Sequence, residues 1–101
     1  MNDSAKIQTA AERVLRVEPT NYKALMAIAG AQFAAADYRK ARSIFARVLG
    51  IYPEDNDAIS GASWSAFYLG EKHEAQKGFE RLASVSPSYP YVQDGLALSH
   101  R

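Results

Sequence analysis

The fold is determined by residues 21–53, because the residues that follow repeat their pattern. This stretch is NYKALMAIAGAQFAAADYRKARSIFARVLGIYP. Residues 55–87, DNDAISGASWSAFYLGEKHEAQKGFERLASVSP, align with them at an offset of 34 residues, which is also the spacing of Pro19, Pro53 and Pro87. The matched residues are mostly apolar or small, and they include Phe33 with Phe67, Ala41 with Ala75, Phe45 with Phe79, and Val17 with Ile51 and Val85. A fixed period of this length is typical of repeat proteins, whose units bury their apolar faces by stacking.

Each period predicts two helices. Apolar residues from Asn21 to about Ala35 recur near helical spacing, and the composition is rich in alanine, a strong helix former. Asp37 is a plausible N-cap for a second helix that ends before Pro53. The next period predicts helices over residues 56–69 and 72–85, with Gly70 in the turn between them. Because the joints are short, the helices of each pair must run antiparallel, and the fold class is all-α.

Small residues recur where two helices must approach closely, and large ones where space must be filled. We expect Ala29 and Ser63 at one kind of close approach, and Ala41 and Ala75 at another. Phe45 and Phe79 should fill the space between successive hairpins.

These residues resemble a known family. The segments from Tyr22 to Pro53 and from Asn56 to Pro87 look like tetratricopeptide repeats. The first segment carries the resemblance with Leu25, Ile28-Ala29, Ala36-Asp37-Tyr38, Ala41, Phe45 and Pro53, and the second with Ile59, Ala62-Ser63, Gly70-Glu71-Lys72, Ala75, Phe79 and Pro87. Gln32 and Ala66 stand where the family usually has an aromatic residue, and Phe33 and Phe67 follow one step later. The resemblance implies a right-handed solenoid of about six antiparallel helices.

The flanking segments fit half-repeats within a single domain of residues 1–101. Residues 3–18 are interpreted as the second helix of a partial repeat. Residues 89–100 are interpreted as the first helix of a partial repeat or as a capping helix. We expect the chain to be a fragment of a longer array, because solenoids normally end in repeats with polar outer faces. The alternative is a complete small protein whose first helix self-associates through Ile7, Val14 and Leu15.

Composition excludes several classes of function. The net charge is +1 and no basic cluster is present, which argues against a nucleic-acid partner. The chain has no cysteine, so disulfides, cysteine-ligated zinc and a cysteine nucleophile are excluded. No run of about 18 apolar residues occurs, so we expect no direct membrane insertion. The start of the chain lacks a signal peptide, which means little for a fragment, and the compartment stays open between cytoplasm and periplasm.

No motif points to catalysis. His73 and His100 are the only histidines, and His73 lies in a polar stretch next to a turn. The serines that flank Trp64 form no G-x-S-x-G elbow, and no phosphate-binding loop is present. Glu54, Asp55 and Asp57 lack the glycine and final glutamate of a calcium loop and are better interpreted as helix-capping acids. We expect no enzyme, and no catalytic, metal or cofactor site.

Arg13, Arg47 and Arg81 recur at the same 34-residue period, on the predicted second helices. They should form a solvated outer face with local ion pairs, for example to Glu12 or Glu80. The alternative is a ridge that contacts an anionic partner.

The resemblance implies a binding groove, because the first helices of tetratricopeptide repeats line a concave surface that takes up a peptide or a partner helix. The residues at the corresponding positions are Lys23, Met26, Ala27, Gly30 and Ala34, then Asp57, Ser60, Gly61, Trp64 and Tyr68, and finally Tyr91, Asp94, Gly95 and Leu98. The glycines should leave room on the floor, and Trp64 and Tyr68 should supply flat anchors. The alternative for Trp64 is packing against the neighbouring helix. Repeats that clamp the carboxylate tail of cytosolic chaperones use Lys, Asn and Arg where this chain has Met26, Gly30 and Gly61, so a carboxylate clamp is not expected.

The leading hypothesis is therefore a protein–protein interaction module that binds a peptide or helix as a scaffold part of a larger assembly. One alternative is a self-associating structural spacer. Another is a small chaperone that shields a client protein, similar to the three-repeat type III secretion chaperones.

Overall fold

A computed structural model describes residues 3–101, with side chains from residue 5 onward. Helices account for nearly all of this range: α1 (Asp3–Val17), α2 (Tyr22–Ala34), α3 (Tyr38–Ile51), α4 (Asn56–Tyr68), α5 (Lys72–Val85) and α6 (Val92–Ser99). No strand occurs in this part of the chain, which confirms the all-α prediction. Three to six residues join consecutive helices, so neighbours run antiparallel. None of the described helices is long and apolar enough to cross a membrane.

The helix starts follow from capping residues in the sequence. The side chains of Asn21, Asp37 and Asp55 accept the backbone N–H groups of Ala24 at 2.9 Å, Lys40 at 3.3 Å and Ala58 at 2.9 Å. Each cap satisfies a backbone donor that has no partner within its helix. The capping role predicted for Asp37 is confirmed.

The turn inside each hairpin uses a left-handed residue. Gly70 has φ of +85°, and Ala36, one period earlier, has φ of +62°. Glycine adopts this conformation without steric cost, whereas alanine is strained there. The predicted turn role of Gly70 is confirmed.

The helices stack in order, with α2 against α3, α4 against α3 and α5, and α6 against α5. In addition, α2 contacts α4, and α4 contacts α6. The first helix of each hairpin therefore touches the first helix of the next, and these helices form one continuous layer.

The core repeats with the chain. One cluster unites Leu25, Ala29, Ala41, Phe45, Val48 and Ala58, and the next unites Ile59, Ala66, Ala75, Phe79, Leu82 and Val92. Ala29, Ala41 and Ala75 are fully buried and Ser63 is nearly so, which confirms the predicted close approaches. Phe45 and Phe79 are buried as well, as their space-filling role requires.

The last helix begins later than the sequence suggested. Helix α6 starts at Val92, not at Tyr89. Tyr89 precedes Pro90, which disfavours helical geometry in the residue before it, and Tyr91 has a left-handed φ of +64°. The helix is anchored at its first residue, because the Val92 side chain is buried.

Arg13, Arg47 and Arg81 are exposed, as expected, but Arg47 and Arg81 bond to backbone carbonyls and not to acidic side chains. The guanidinium of Arg47 donates to the carbonyl of Pro19 at 3.3 Å, and that of Arg81 donates to the carbonyl of Pro53. The expected ion pair of this series with Glu80 is not among those that the described residues form. Those ion pairs join Lys40 to Asp37, and Arg42 to Glu71 and Glu74. Arg47 and Arg81 therefore tie each second helix to the proline turn that precedes its own hairpin.

Candidate functional site

A cavity of about 390 Å³ opens between the first helices of the two complete hairpins. We call it the α2–α4 groove, and its lining residues are Met26, Gly30, Phe33, Phe45, Asp57, Ser60, Gly61, Trp64 and Tyr89. Six of them are positions that the family resemblance assigned to the groove: Met26, Gly30, Asp57, Ser60, Gly61 and Trp64.

Helical spacing brings the two walls together. Met26 and Gly30 lie four residues apart on α2, and Ser60, Gly61 and Trp64 lie on one face of α4. Gly30 is exposed, and a Cβ added there would meet no atom within 4 Å. Gly30 therefore leaves open space in the groove, as expected.

Gly61 has a packing role in addition. A Cβ at this position would lie only 2.5 Å from Cε1 of Phe45, so the absence of a side chain lets the Phe45 ring lie against α4 and form the groove floor. Gly95 has the same relation to Phe79, and a Cβ there would lie 2.5 Å from Cε1 of that ring. Gly95 is buried under this contact and does not line the groove. The space that a side chain at Gly61 or Gly95 would need is thus occupied by the rings of Phe45 and Phe79.

Trp64 combines the two roles that the sequence left open. Its ring packs edge-on against Phe79 of α5, with centroids 4.9 Å apart, and against Phe67 at 5.8 Å. The side chain is only partly buried, and it also lines the groove. Trp64 therefore joins the groove wall to the hydrophobic core.

Tyr68 lies beside the groove instead of in it. Its side chain is 52% exposed and stacks on Tyr38, with ring centroids 4.8 Å apart and planes 21° from parallel. Trp64 lies 6.0 Å away on the same helix, and Phe33 contacts Tyr68 edge-on. An aromatic surface thus continues from the groove across the end of the first complete hairpin.

Two tyrosine–aspartate hydrogen bonds lie at the start of α4, and the pair of Tyr89 and Asp57 lines the groove. The hydroxyl of Tyr89 donates to Asp57, and that of Tyr22 donates to both carboxylate oxygens of Asp55 at 3.0 Å. Burial, followed by the bond to Asp55, raises the pKa of Tyr22 to about 12. Burial and the bond to Asp57 raise the pKa of Tyr89 as well. Asp57 is the only charged residue among those that line the groove.

Several predicted groove residues lie elsewhere. Lys23, Tyr91, Asp94 and Ala34 are exposed but do not line the cavity, Leu98 is half-buried outside it, and Ala27 packs toward α1. Phe33, Phe45 and Tyr89 line the groove but were not assigned to it. The alignment had marked both phenylalanines as core positions. Nothing in the sequence indicated that Tyr89 lines the groove, because it aligns with the capping residues Asn21 and Asp55.

The residues suggested for self-association divide in two. Ile7 and Val14 are exposed on α1. Leu15 is half-buried and packs against the cluster of Ala11, Ala24 and Ile28, so little of its side chain is available to a partner.

The site carries no constellation of metal-binding side chains. Among the side chains that the structure describes, from residue 5 onward, no group of three or more His, Cys, Asp or Glu could hold a metal ion.

Comparison with known proteins identifies the family. The sequence model of the tetratricopeptide repeat matches residues 2–63. The chain therefore belongs to the tetratricopeptide-repeat family, whose members are protein-interaction modules.

Among solved structures, the chain is similar to the first TPR of Spaghetti (RPAP3) bound to the HSP90 peptide SRMEEVD. The two sequences are 18% identical, and the structures superpose with a TM-score of 0.91. The match covers 97% of this chain and 78% of the other. At this identity the likeness concerns the fold. No curated protein matches the sequence.

Proposed function

We propose that the α2–α4 groove binds an apolar or aromatic side chain of an extended peptide or partner helix, as part of a scaffold in a larger assembly. The observation that carries the proposal is the groove of about 390 Å³ that opens between two consecutive first helices. Met26, Phe33 and Trp64 of these helices line it, together with Phe45 of α3. Concave sites with apolar walls and a few polar groups are the usual form of a binding site. Trp is also one of the side chains that are enriched at binding hot spots.

The charge of the groove favours a basic peptide over an acidic one. Asp57 is the only charged lining residue, and the bond from Tyr89 holds its carboxylate in place. Lys and Arg are missing from the lining residues, whereas Met26, Gly30 and Gly61 occupy the positions at which carboxylate-clamp repeats carry Lys, Asn and Arg. A basic residue next to the apolar anchor would be attracted to Asp57, and a peptide rich in carboxylates would be repelled.

Two short peptides test this preference. Trp64 is the only tryptophan of the chain, so its emission reports on the groove directly. The probes are SRMEEVD, which the similar structure contains, and an amidated SRMKKVK in which lysine replaces each acid. We expect the basic peptide to shift the emission and to bind at least about tenfold more tightly, a difference of about 1.4 kcal/mol.

Two outcomes would contradict the proposal. Tighter binding of SRMEEVD would mean that the groove recognises carboxylates after all. If neither peptide alters the emission up to millimolar concentration, the groove does not take short linear peptides of this kind.

A further inference from the structure

An exposed pair of stacked tyrosines continues the α2–α4 groove at the end of α4. Tyr38 is the first residue of α3 and Tyr68 is the last residue of α4, so both complete hairpins contribute to the pair. The rings lie 4.8 Å apart and 21° from parallel, and 52% of Tyr68 is exposed. Trp64, which lines the groove, lies 6.0 Å from Tyr68. We call Tyr38 and Tyr68 the tyrosine pair.

The repeat itself does not require the tyrosine pair. Ala34 stands one period before Tyr68, and Lys72 stands one period after Tyr38; both are exposed. The complete hairpins therefore form without aromatic rings at these equivalent positions. Aromatic rings that stay exposed beside a groove are typical of a binding surface, where Tyr and Trp are enriched.

The opposite end of the groove is acidic. Asp57 lies in the first turn of α4 and lines the groove, and Asp55 caps the same helix. From Asp57 to Tyr68 the helix makes about three turns, so the two residues share a face and lie about 16 Å apart along it. A ligand that reaches both ends is therefore held by an acid at one end and by aromatic rings at the other.

The groove runs lengthwise between two parallel helices. Helices α2 and α4 are parallel because each runs antiparallel to α3. The lining residues recur at intervals of four and three along both helices, so they form two facing rows. These residues are Met26, Gly30 and Phe33 on α2, and Asp57, Gly61 and Trp64 on α4.

The walls of this groove favour a helical ligand over an extended one. The backbone groups of α2 and α4 are bonded within their own helices, and the walls beyond Ser60 are largely apolar. An extended chain would therefore leave many of its own N–H and C=O groups without partners on the side that faces the groove. A helix bonds its own backbone and presents only side chains to the walls.

The two different ends of the site determine the direction of a bound helix. Basic side chains are favoured in the last turn of a helix, where free carbonyl groups carry a partial negative charge. A helix antiparallel to α4 brings its last turn to Asp57 and its first turn to the tyrosine pair. We propose, as an extension that rests on the proposed function, that the ligand is an amphipathic helix of a partner protein, antiparallel to α4. Its last turn places a basic residue at Asp57, and its first turn places an apolar or aromatic residue on the tyrosine pair.

The length of the site sets the spacing of the ligand's anchors. A helix covers about 16 Å with about 11 residues, and residues at this spacing lie on one face. An extended chain covers the same length with only about five residues. The proposed ligand therefore carries its basic residue about 11 residues after its aromatic one, with apolar residues on the same face between them.

Three peptides with capped ends test the conformation and the direction of the ligand. FAQALAQLAQAK carries phenylalanine, two leucines and lysine at the required spacing. KAQALQALAQAF is the reversed sequence with the same composition, and FAQALAPLAQAK contains a proline that breaks the helix. In isothermal titration calorimetry we expect the first peptide to bind at least about tenfold more tightly than either of the others. Equal affinity of the reversed peptide would overturn the direction, and equal affinity of the proline peptide would overturn the helical conformation.

Tyr68→Ala tests the tyrosine pair. We expect this variant to bind FAQALAQLAQAK about fivefold more weakly than the wild type does, because it removes the aromatic contact at one end of the ligand. Tyr52→Ala is the matched control and should keep the wild-type affinity. Tyr52 is 42% exposed and packs on another tyrosine ring, that of Tyr22 at 5.5 Å, but it does not line the groove. Circular dichroism verifies that both variants are folded. Unchanged affinity of Tyr68→Ala, or an equal loss in Tyr52→Ala, would overturn the role of the pair.

Gly30→Leu separates this inference from the proposed function, because it obstructs the groove itself. If Gly30→Leu weakens the binding of FAQALAQLAQAK, whereas reversal of the peptide and Tyr68→Ala do not, the groove binds peptides but the inference is wrong. If neither FAQALAQLAQAK nor SRMKKVK binds at millimolar concentration, the proposed function fails as well.

Discussion

Gly61 and Gly95 let a phenylalanine ring of the preceding hairpin lie against the helix backbone. They stand 34 residues apart, and so do the rings of Phe45 and Phe79 that they accommodate. Glycine inside a helix costs ~1 kcal/mol relative to alanine. The buried ring offsets this cost, because a methyl group at either glycine would push the hairpins apart.

Alanine at position 61 should therefore destabilise the protein despite its higher helix propensity. We expect Gly61→Ala to lower the free energy of unfolding by ~1–3 kcal/mol, the usual range for overpacking. Gly50→Ala is the control, since a Cβ at Gly50 on α3 meets no atom within 4 Å. The free energy of unfolding of this control variant should rise by up to ~1 kcal/mol, because alanine has a higher helix propensity than glycine. Urea denaturation measures both, and equal effects of the two variants would refute the packing role.

The hydrogen bond between Tyr22 and Asp55 connects neighbouring repeats through two side chains. Asp55 caps α4 and accepts the Tyr22 hydroxyl at the same time. Burial and this bond favour the neutral phenol in the folded state and raise the pKa of Tyr22 to about 12, from the ordinary value of 10.0. The stabilisation from Tyr22 is therefore complete below pH 10 and is lost as the pH rises through about 12.

Alkaline titration tests this linkage. The phenolate absorbance of the wild type minus that of Tyr22→Phe should show one step near pH 12. Asp55→Asn keeps a good capping residue but removes the charge, so it should lower that pKa only in part, because burial is the larger cause. Circular dichroism verifies that the chain is still folded at each pH. A difference step at the ordinary pKa of 10.0 would contradict the assignment.

At the scale of the helices, much of the structure could be predicted from the sequence. The apolar period, the capping residues and the prolines placed α2 to α5 close to their observed bounds, because these signals are local. The start of α6 could not be placed, because the left-handed conformation of Tyr91 has no signature in a non-glycine residue. The bonds from Arg47 and Arg81 were missed because each spans 28 residues and ends on a backbone carbonyl.

The bond from Arg81 should contribute modestly to stability. Arg81→Met keeps the apolar stem but removes the donor to the Pro53 carbonyl. We expect a loss of ~0.5–1.5 kcal/mol, the range of an ordinary hydrogen bond. Lys77→Met makes the same charge change at an exposed position one turn earlier on α5 and is the control. Thermal denaturation compares the two variants, and a loss in Lys77→Met that matches the loss in Arg81→Met would assign the effect to charge alone.

At the scale of the whole molecule, the groove arises from the stacking of hairpins. Met26 and Trp64 are 38 residues apart and line the same cavity only because α2 packs beside α4. The family resemblance predicted that these two residues line the groove, since the stacking geometry of the family places consecutive first helices side by side. It could not predict Tyr89, whose place depends on the irregular segment before α6, or that Gly95 would be buried beneath Phe79. Six of the assigned residues line the cavity, whereas the four of the last, incomplete unit and four of the complete repeats lie outside it: Tyr91, Asp94, Gly95 and Leu98, and Lys23, Ala27, Ala34 and Tyr68.

The central claim is that the α2–α4 groove binds a peptide. Gly30→Leu and Gly50→Leu place the same side chain at two exposed helical glycines with open space around them, but only Gly30 lines the groove. Both variants gain helix propensity, so both should fold at least as well as the wild type. Isothermal titration calorimetry with amidated SRMKKVK should show binding at least about tenfold weaker for Gly30→Leu, and no change for Gly50→Leu. Equal affinity of the two variants would contradict the account.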